Sequence, residues 1–198
     1  MNHQKFAAMA TGQTHINPEF EKAYAGYHAL LNGFQSIQLA TTGLDGTPEA
    51  SYAPAIVDAQ RNFYVYVSEL AAHTANLLKN GKASVLVIED ESIAEVIFAR
   101  NRVTFTCTAK HIERHNQEWE SVIAEFEKKF GKMMGFLKTM EDFHLFRLEP
   151  SCARLVLGFG KAYDVVGDQL NSIKHVSGNG VAHRQEESRT ENSEETVK

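Results

Sequence analysis

From Gln35 onward the apolar residues of this chain recur at every second position, in short runs separated by a few turn-forming residues. That spacing leaves few folds open. Ser36 to Thr42 reads as one strand, Leu44-Asp45-Gly46-Thr47 as a tight turn, and Glu49 to Val57 as the returning strand. Gln60-Arg61-Asn62 turns the chain into a third strand, Phe63 to Val67, and Ala83 to Glu89 makes a fourth. The clearest is Val103 to Ala109, where Val103, Phe105, Cys107 and Ala109 alternate with Thr104, Thr106 and Thr108, one face apolar and one polar. Phe143 to Leu148 and Arg154 to Val166 are the last long strands. Pro54 cannot donate to a ladder, so its strand lies at an edge or bulges there. Links this short favour antiparallel pairing, and about six or seven such strands predict a mainly β fold, a small antiparallel barrel.

Helical spacing interrupts this pattern in three or four places. Asn17-Pro18-Glu19 has a cap, a proline at the first helical position and an acid in the first turn, and Phe20, Tyr24, Tyr27, Leu31 and Phe34 follow on one face. Ser68 is read as the cap of a short helix carrying Leu70, Thr74, Leu77 and Leu78 and ending at Asn80-Gly81. A third helix starts near Asn116 with Trp119, Val122, Ile123, Phe126 and Phe130 on one stripe. Gly131 breaks it, and Met133, Met134, Leu137 and Met140 predict a further piece. These helices flank the barrel. Residues 1–16 are expected to be flexible, 17–184 to form one domain, and 185–198, rich in Gln, Glu, Ser, Thr and Asn, to be a disordered acidic tail.

Composition narrows the function. Hydrophobic residues are 43% and charged residues 23% of 198, enough apolar material for a core without a structural metal or disulfide. A formal charge of −5 argues against a general nucleic-acid partner while leaving room for a local basic pocket. Cys107 and Cys152 form no CxxC pair and read as reduced thiols. No apolar run reaches the ~18 residues of a membrane span, and Met1-Asn2-His3-Gln4-Lys5 lacks the features of a secretory signal, so no membrane association and a cytoplasmic location are expected.

Several side chains could carry chemistry. Arg100 and Arg102, just before the clean strand, could grip an anionic ligand with their fixed forks of donors, or could be a solvated strand end. His73 in the short helix is a ligand or a surface residue. Asp142 stands at a helix-to-strand junction, where acids also cap turns. His175 and His183 lie in or beside a late glycine-containing segment, from which an imidazole could reach a metal. The chain has no HExxH, no close His/Cys/Asp cluster for zinc, no phosphate loop and no nucleophile elbow.

Seven stretches in one order resemble the HugZ/HutZ-type haem-utilisation proteins, a branch of the FMN-binding split-barrel superfamily. They are Gln38-Leu39-Ala40-Thr41, Ala50-Ser51-Tyr52-Ala53-Pro54, Ser68 to Leu77 (SELAAHTANL), Ile88-Glu89-Asp90-Glu91, Phe98 to Phe105 (FARNRVTF), Asp142 to Leu148 (DFHLFRL) and Gly158-Phe159-Gly160. The resemblance implies a split-barrel homodimer with haem at the subunit interface. It also implies haem degradation with oxygen and electrons from a separate, unidentified donor, releasing iron and a linear tetrapyrrole. By matching, His183 in Gly180-Val181-Ala182-His183-Arg184 would be the iron ligand, and Asp142 of the partner would accept a hydrogen bond from it. Arg102 would lie near the haem, with Arg100 and His73 as further cofactor-binding residues, and Asp142 and Arg102 as the catalytic pair. Extra residues precede His183 relative to the family pattern, which leaves His175 as the alternative ligand. Related flavin binders often carry Lys or Arg where this chain has His73, so FMN is the alternative cofactor, and a haem carrier without turnover is the alternative role. Aromatic residues along Phe63 to Val67 are expected to need a second copy to cover them.

Overall fold

The computed structural model describes residues 18–176. In chain order these form α1 (Pro18–Gly33), β1 (Ser36–Thr42), β2 (Pro48–Val57), β3 (Phe63–Ser68), α2 (Ala72–Asn80), β4 (Lys82–Ile88), a 3-10 turn (Ile97–Ala99), β5 (Arg102–Ile112), α3 (Gln117–Phe130), α4 (Lys132–Leu137), β6 (Phe143–Leu157), β7 (Lys161–Val166) and β8 (Ser172–His175). Six strands in the order β3-β2-β1-β4-β5-β6 close on themselves through β3 and β6, every pairing antiparallel. This is the expected barrel, with β7 and β8 added outside it.

The extra strands follow from β6, which changes neighbours halfway. Its first part, Phe143 to Leu148, pairs with β3, and its last part, Ala153 to Leu157, pairs with β7. Between them Thr106 of β5 faces Cys152 while Cys107 faces Pro150, so Ser151 is the extra residue of a bulge. Pro150 has no N–H to lose, and a bulge is where a proline is tolerated. The structure thus corrects two sequence expectations. The strand beginning at Phe143 does not stop at Leu148, and the run Arg154 to Val166 folds back at Gly158-Phe159-Gly160, whose glycines take φ 57° and 74°. The four-residue β8 carries one buried side chain, Ile173, too little pattern to read. Eight strands result instead of six or seven, with four α-helices among the described residues. Pro54 sits at an edge: β2 pairs with β1 from Pro48 to Pro54 but meets β3 only from Ala55 to Val57.

The barrel interior holds Ile37, Leu39, Val85, Val103 and Leu155 around Phe63 and Phe105, whose rings meet edge-on at 4.8 Å. Tyr27 and Leu31 of α1 belong to the same core. A second core lies outside the barrel, where Trp119, Ile123 and Phe126 of α3 and Met134 of α4 pack on Tyr64 and Tyr66 of β3. Phe63 to Val67 is therefore buried on both faces within one chain. The aromatic residues expected to call for a second copy are covered by α3 instead. Among the described residues no helix is long and apolar enough to cross a membrane.

Candidate functional site

Asp142 lies directly before β6, where the chain leaves α4. Its Oδ2 accepts a 2.7 Å hydrogen bond from Ser68 Oγ, and its carbonyl accepts one from the Glu69 N–H at 2.9 Å. Ser68 Oγ also accepts from the Leu70 N–H. Ser68 is thus not the cap of α2, which begins after Ala71 with no side-chain cap; it aims the Asp142 carboxylate. Arg114, just past β5, fixes the same loop by donating to the carbonyls of Lys138, Met140 and Phe143 and to Tyr66 Oη, with its guanidinium over the Trp119 ring. Asp142 Oδ1 makes no hydrogen bond among the described residues.

His73 is buried, not on the surface. Ser51 Oγ donates to the Leu39 carbonyl at 3.0 Å and has one proton, so the 2.9 Å contact to His73 is a hydrogen bond from Nδ1–H to Ser51. Burial holds the His73 imidazole below its ordinary range, opposed by the Glu49 carboxylate. Burial thus disfavours the charged form of this ring. Thr74 Oγ1 donates to the Ser68 carbonyl, which ties the His73 helix to the Asp142 end of the barrel.

Arg100 and Arg102 occupy the other end. Arg100 is engaged by its own loop: Nε donates to the Glu89 carbonyl at 2.8 Å, the guanidinium bonds that carbonyl a second time, and Nη1 meets Glu91 Oε1 at 2.9 Å. Among the described residues Arg102 makes one hydrogen bond, from Nη1 to the Arg100 carbonyl, and no ion pair. Of the two, Arg102 is the fork with donors to spare. Exposed Ile93, Ile97, Phe98 and Phe159 surround this end, beside a cleft of about 580 Å³ between α1, the 90–101 loop and the β6–β7 turn. Neither Arg102, His73 nor Asp142 lines that cleft.

The four candidates thus fall into two groups. Arg102 opens β5 and Ile112 closes it, ten residues on and opposite Leu145, three residues past Asp142. Arg102 and Asp142 therefore stand at opposite ends of the β5–β6 pair in one chain. His175 is not on a loop; it closes β8 with its ring edge-on to Tyr163 at 5.4 Å, and Val176 N–H donates to the Ala162 carbonyl. Ala162 pairs with Val156, which pairs with Arg102, so the chain passes out of the described residues at the Arg102 end. His183 lies outside the described residues. Sequence reading missed Ser51 and Ser68, for which no local pattern existed, and Glu69, His111 and His144, which also meet at the Asp142 end.

A closed antiparallel barrel whose last strand changes neighbours at a bulge, with helices laid outside, defines the split-barrel class. The family model described as Pyridoxamine 5'-phosphate oxidase matches residues 25–157. Heme oxygenase HutZ of Vibrio cholerae serotype O1 is 42% identical over 142 residues, covering 72% of this chain and 80% of that one. Among solved structures, HutZ from Vibrio cholerae, described as a heme storage protein, superposes with a TM-score of 0.62 at 34% identity, over 72% of this chain and 96% of that one. ChuZ of Campylobacter jejuni gives a TM-score of 0.72 at 32% identity, over 82% of this chain and 66% of that one. The chain belongs to the HutZ/ChuZ haem-utilisation family within the pyridoxamine 5'-phosphate oxidase superfamily.

Proposed function

We propose that this protein is a haem-degrading oxygenase that binds haem between two copies of the chain and works in the cytoplasm with an external electron donor. The observation that carries the reading is the 42% identity to a heme oxygenase over 142 residues. The geometry supports the layout. His183 is the proposed iron ligand, and it follows Val176, anchored at the Arg102 end, by seven residues. Asp142 of the same chain lies at the opposite end of the β5–β6 pair. In a two-fold pair, the partner's copy of that carboxylate can be brought to the ligand instead.

The residues present fit such a substrate. Arg102 has unused donors for a propionate carboxylate, and the apolar side chains beside it suit a porphyrin edge. Bound haem would supply the iron at which oxygen is activated. Asp142, held by Ser68, offers Oδ1 as an acceptor for the outer N–H of His183, which orients the imidazole and strengthens it as a donor. His73 gives no support to the FMN alternative: burial disfavours its charged form and its Nδ1–H is tied to Ser51, which makes it a poor cation for a phosphate. Hemin added to the purified protein should give a histidine-type visible spectrum that bleaches once a reductant is added in air. A stable spectrum under those conditions would instead mark a carrier or store, and a yellow chromophore in the protein as purified would mark a flavoprotein. His183→Ala should abolish the haem spectrum with circular dichroism unchanged.

A further inference from the structure

We propose that His111 and His144 form a surface site for a divalent transition-metal cation of the zinc or copper class, at the Asp142 end of the barrel. The two rings come from neighbouring strands, β5 and β6, and their facing nitrogens, His144 Nδ1 and His111 Nε2, stand 3.1 Å apart. Their ring centroids are 5.1 Å apart, and the Phe146 ring lies 5.4 Å from His111 and 6.3 Å from His144. Each outer nitrogen faces a carboxylate. His144 Nε2 is 2.8 Å from Glu69 Oε1, and His111 Nδ1 is 3.5 Å from Glu113 Oε1.

Glu69 decides what one inner nitrogen can be. An ionised carboxylate only accepts, so Glu69 fixes the proton of His144 on Nε2 and leaves its Nδ1 a bare acceptor. Without a cation, His111 Nε2–H can donate to that Nδ1 across 3.1 Å. With the His111 proton on Nδ1 instead, both facing nitrogens present lone pairs that one cation can take. Two imidazoles bound tetrahedrally at about 2.0–2.1 Å place their nitrogens roughly 3.3 Å apart, close to the spacing found. The Glu69 carboxylate behind His144 is the support that metal-binding histidines use. Among the described residues no group of three or more His, Cys, Asp or Glu makes a metal cage, so this is a two-imidazole chelate whose remaining positions water would fill. Imidazole donors select zinc, nickel or copper over calcium or magnesium.

Zinc chloride titrated calorimetrically into the haem-free, full-length protein should report one ion per chain. His111→Ala and His144→Ala should each weaken it at least tenfold, and Glu69→Gln roughly tenfold. Because the two histidines sit on different strands, the result stands if either variant folds. Copper(II) bound to the wild type should show electron paramagnetic coupling to two nitrogens, and to one in each histidine variant. No zinc uptake, or isotherms unchanged in both histidine variants, would make the pair a simple hydrogen-bonded contact and overturn the proposal.

Discussion

Ser68 spends its only proton on Asp142 Oδ2, leaving Oδ1 with both lone pairs open to a histidine N–H. This makes Asp142 a positioning residue, and its substitution separates binding from turnover. Asp142→Asn should still bind haem with a histidine-type spectrum but degrade it much more slowly per bound haem. Ser68→Ala should cost about 1 kcal/mol of stability and slow turnover less. Haem decay at saturating haem, run beside a melting curve, checks both; normal turnover with only a lowered melting temperature would reduce Asp142 to a turn cap. His73 gives a pH signature of the fold. Burial holds it below its ordinary value of 6.5, against the pull of Glu49, so below that value the unfolded chain binds more protons than the folded one. Stability should therefore fall as pH drops from about 6.5 through the lowered folded value, and melting temperatures between pH 5 and 6.5 should slope less in His73→Gln.

α3 is held by more than its apolar stripe. Lys129 Nζ donates to the carbonyls of Phe34, before β1, and Ala55, on β2, at 2.9 and 2.8 Å, with no carboxylate among its hydrogen-bond partners in the described residues. Desolvation lowers its pKa. Lys129→Ala leaves two acceptors without a donor and should cost about 1–3 kcal/mol, read from urea unfolding, whereas Lys128→Ala on the exposed face should cost almost nothing. The α3 stripe and the alternation from Val103 were legible because each is one period along one segment. The double burial of β3 was not, since the stripe that covers it lies some fifty residues away. The strand through Pro150 was not legible either: Glu149-Pro150-Ser151 reads locally as a break, and only pairing with β5 shows it to be a bulge. Asp142 and Arg102 were found through family resemblance, but their placement at opposite ends depends on β5 and β6 pairing along their whole length.

At the scale of the whole molecule, both candidate ends expose apolar side chains: Phe98 and Phe159 near Arg102, Leu70 near Asp142. Surfaces of this kind mark contact sites, and light scattering should find a dimer at micromolar concentration. The most direct test uses two variants that each break one half of the shared site. Arg102→Ala and Asp142→Ala, assayed alone, should each degrade haem slowly. In a mixed dimer one of the two sites carries both substitutions and the other carries neither. After unfolding and refolding together, about half of the dimers are mixed and each has one intact site, so the mixture should recover about a quarter of wild-type activity. A mixture no more active than the sum of its parents would contradict a haem site built from Arg102 of one copy and Asp142 of the other.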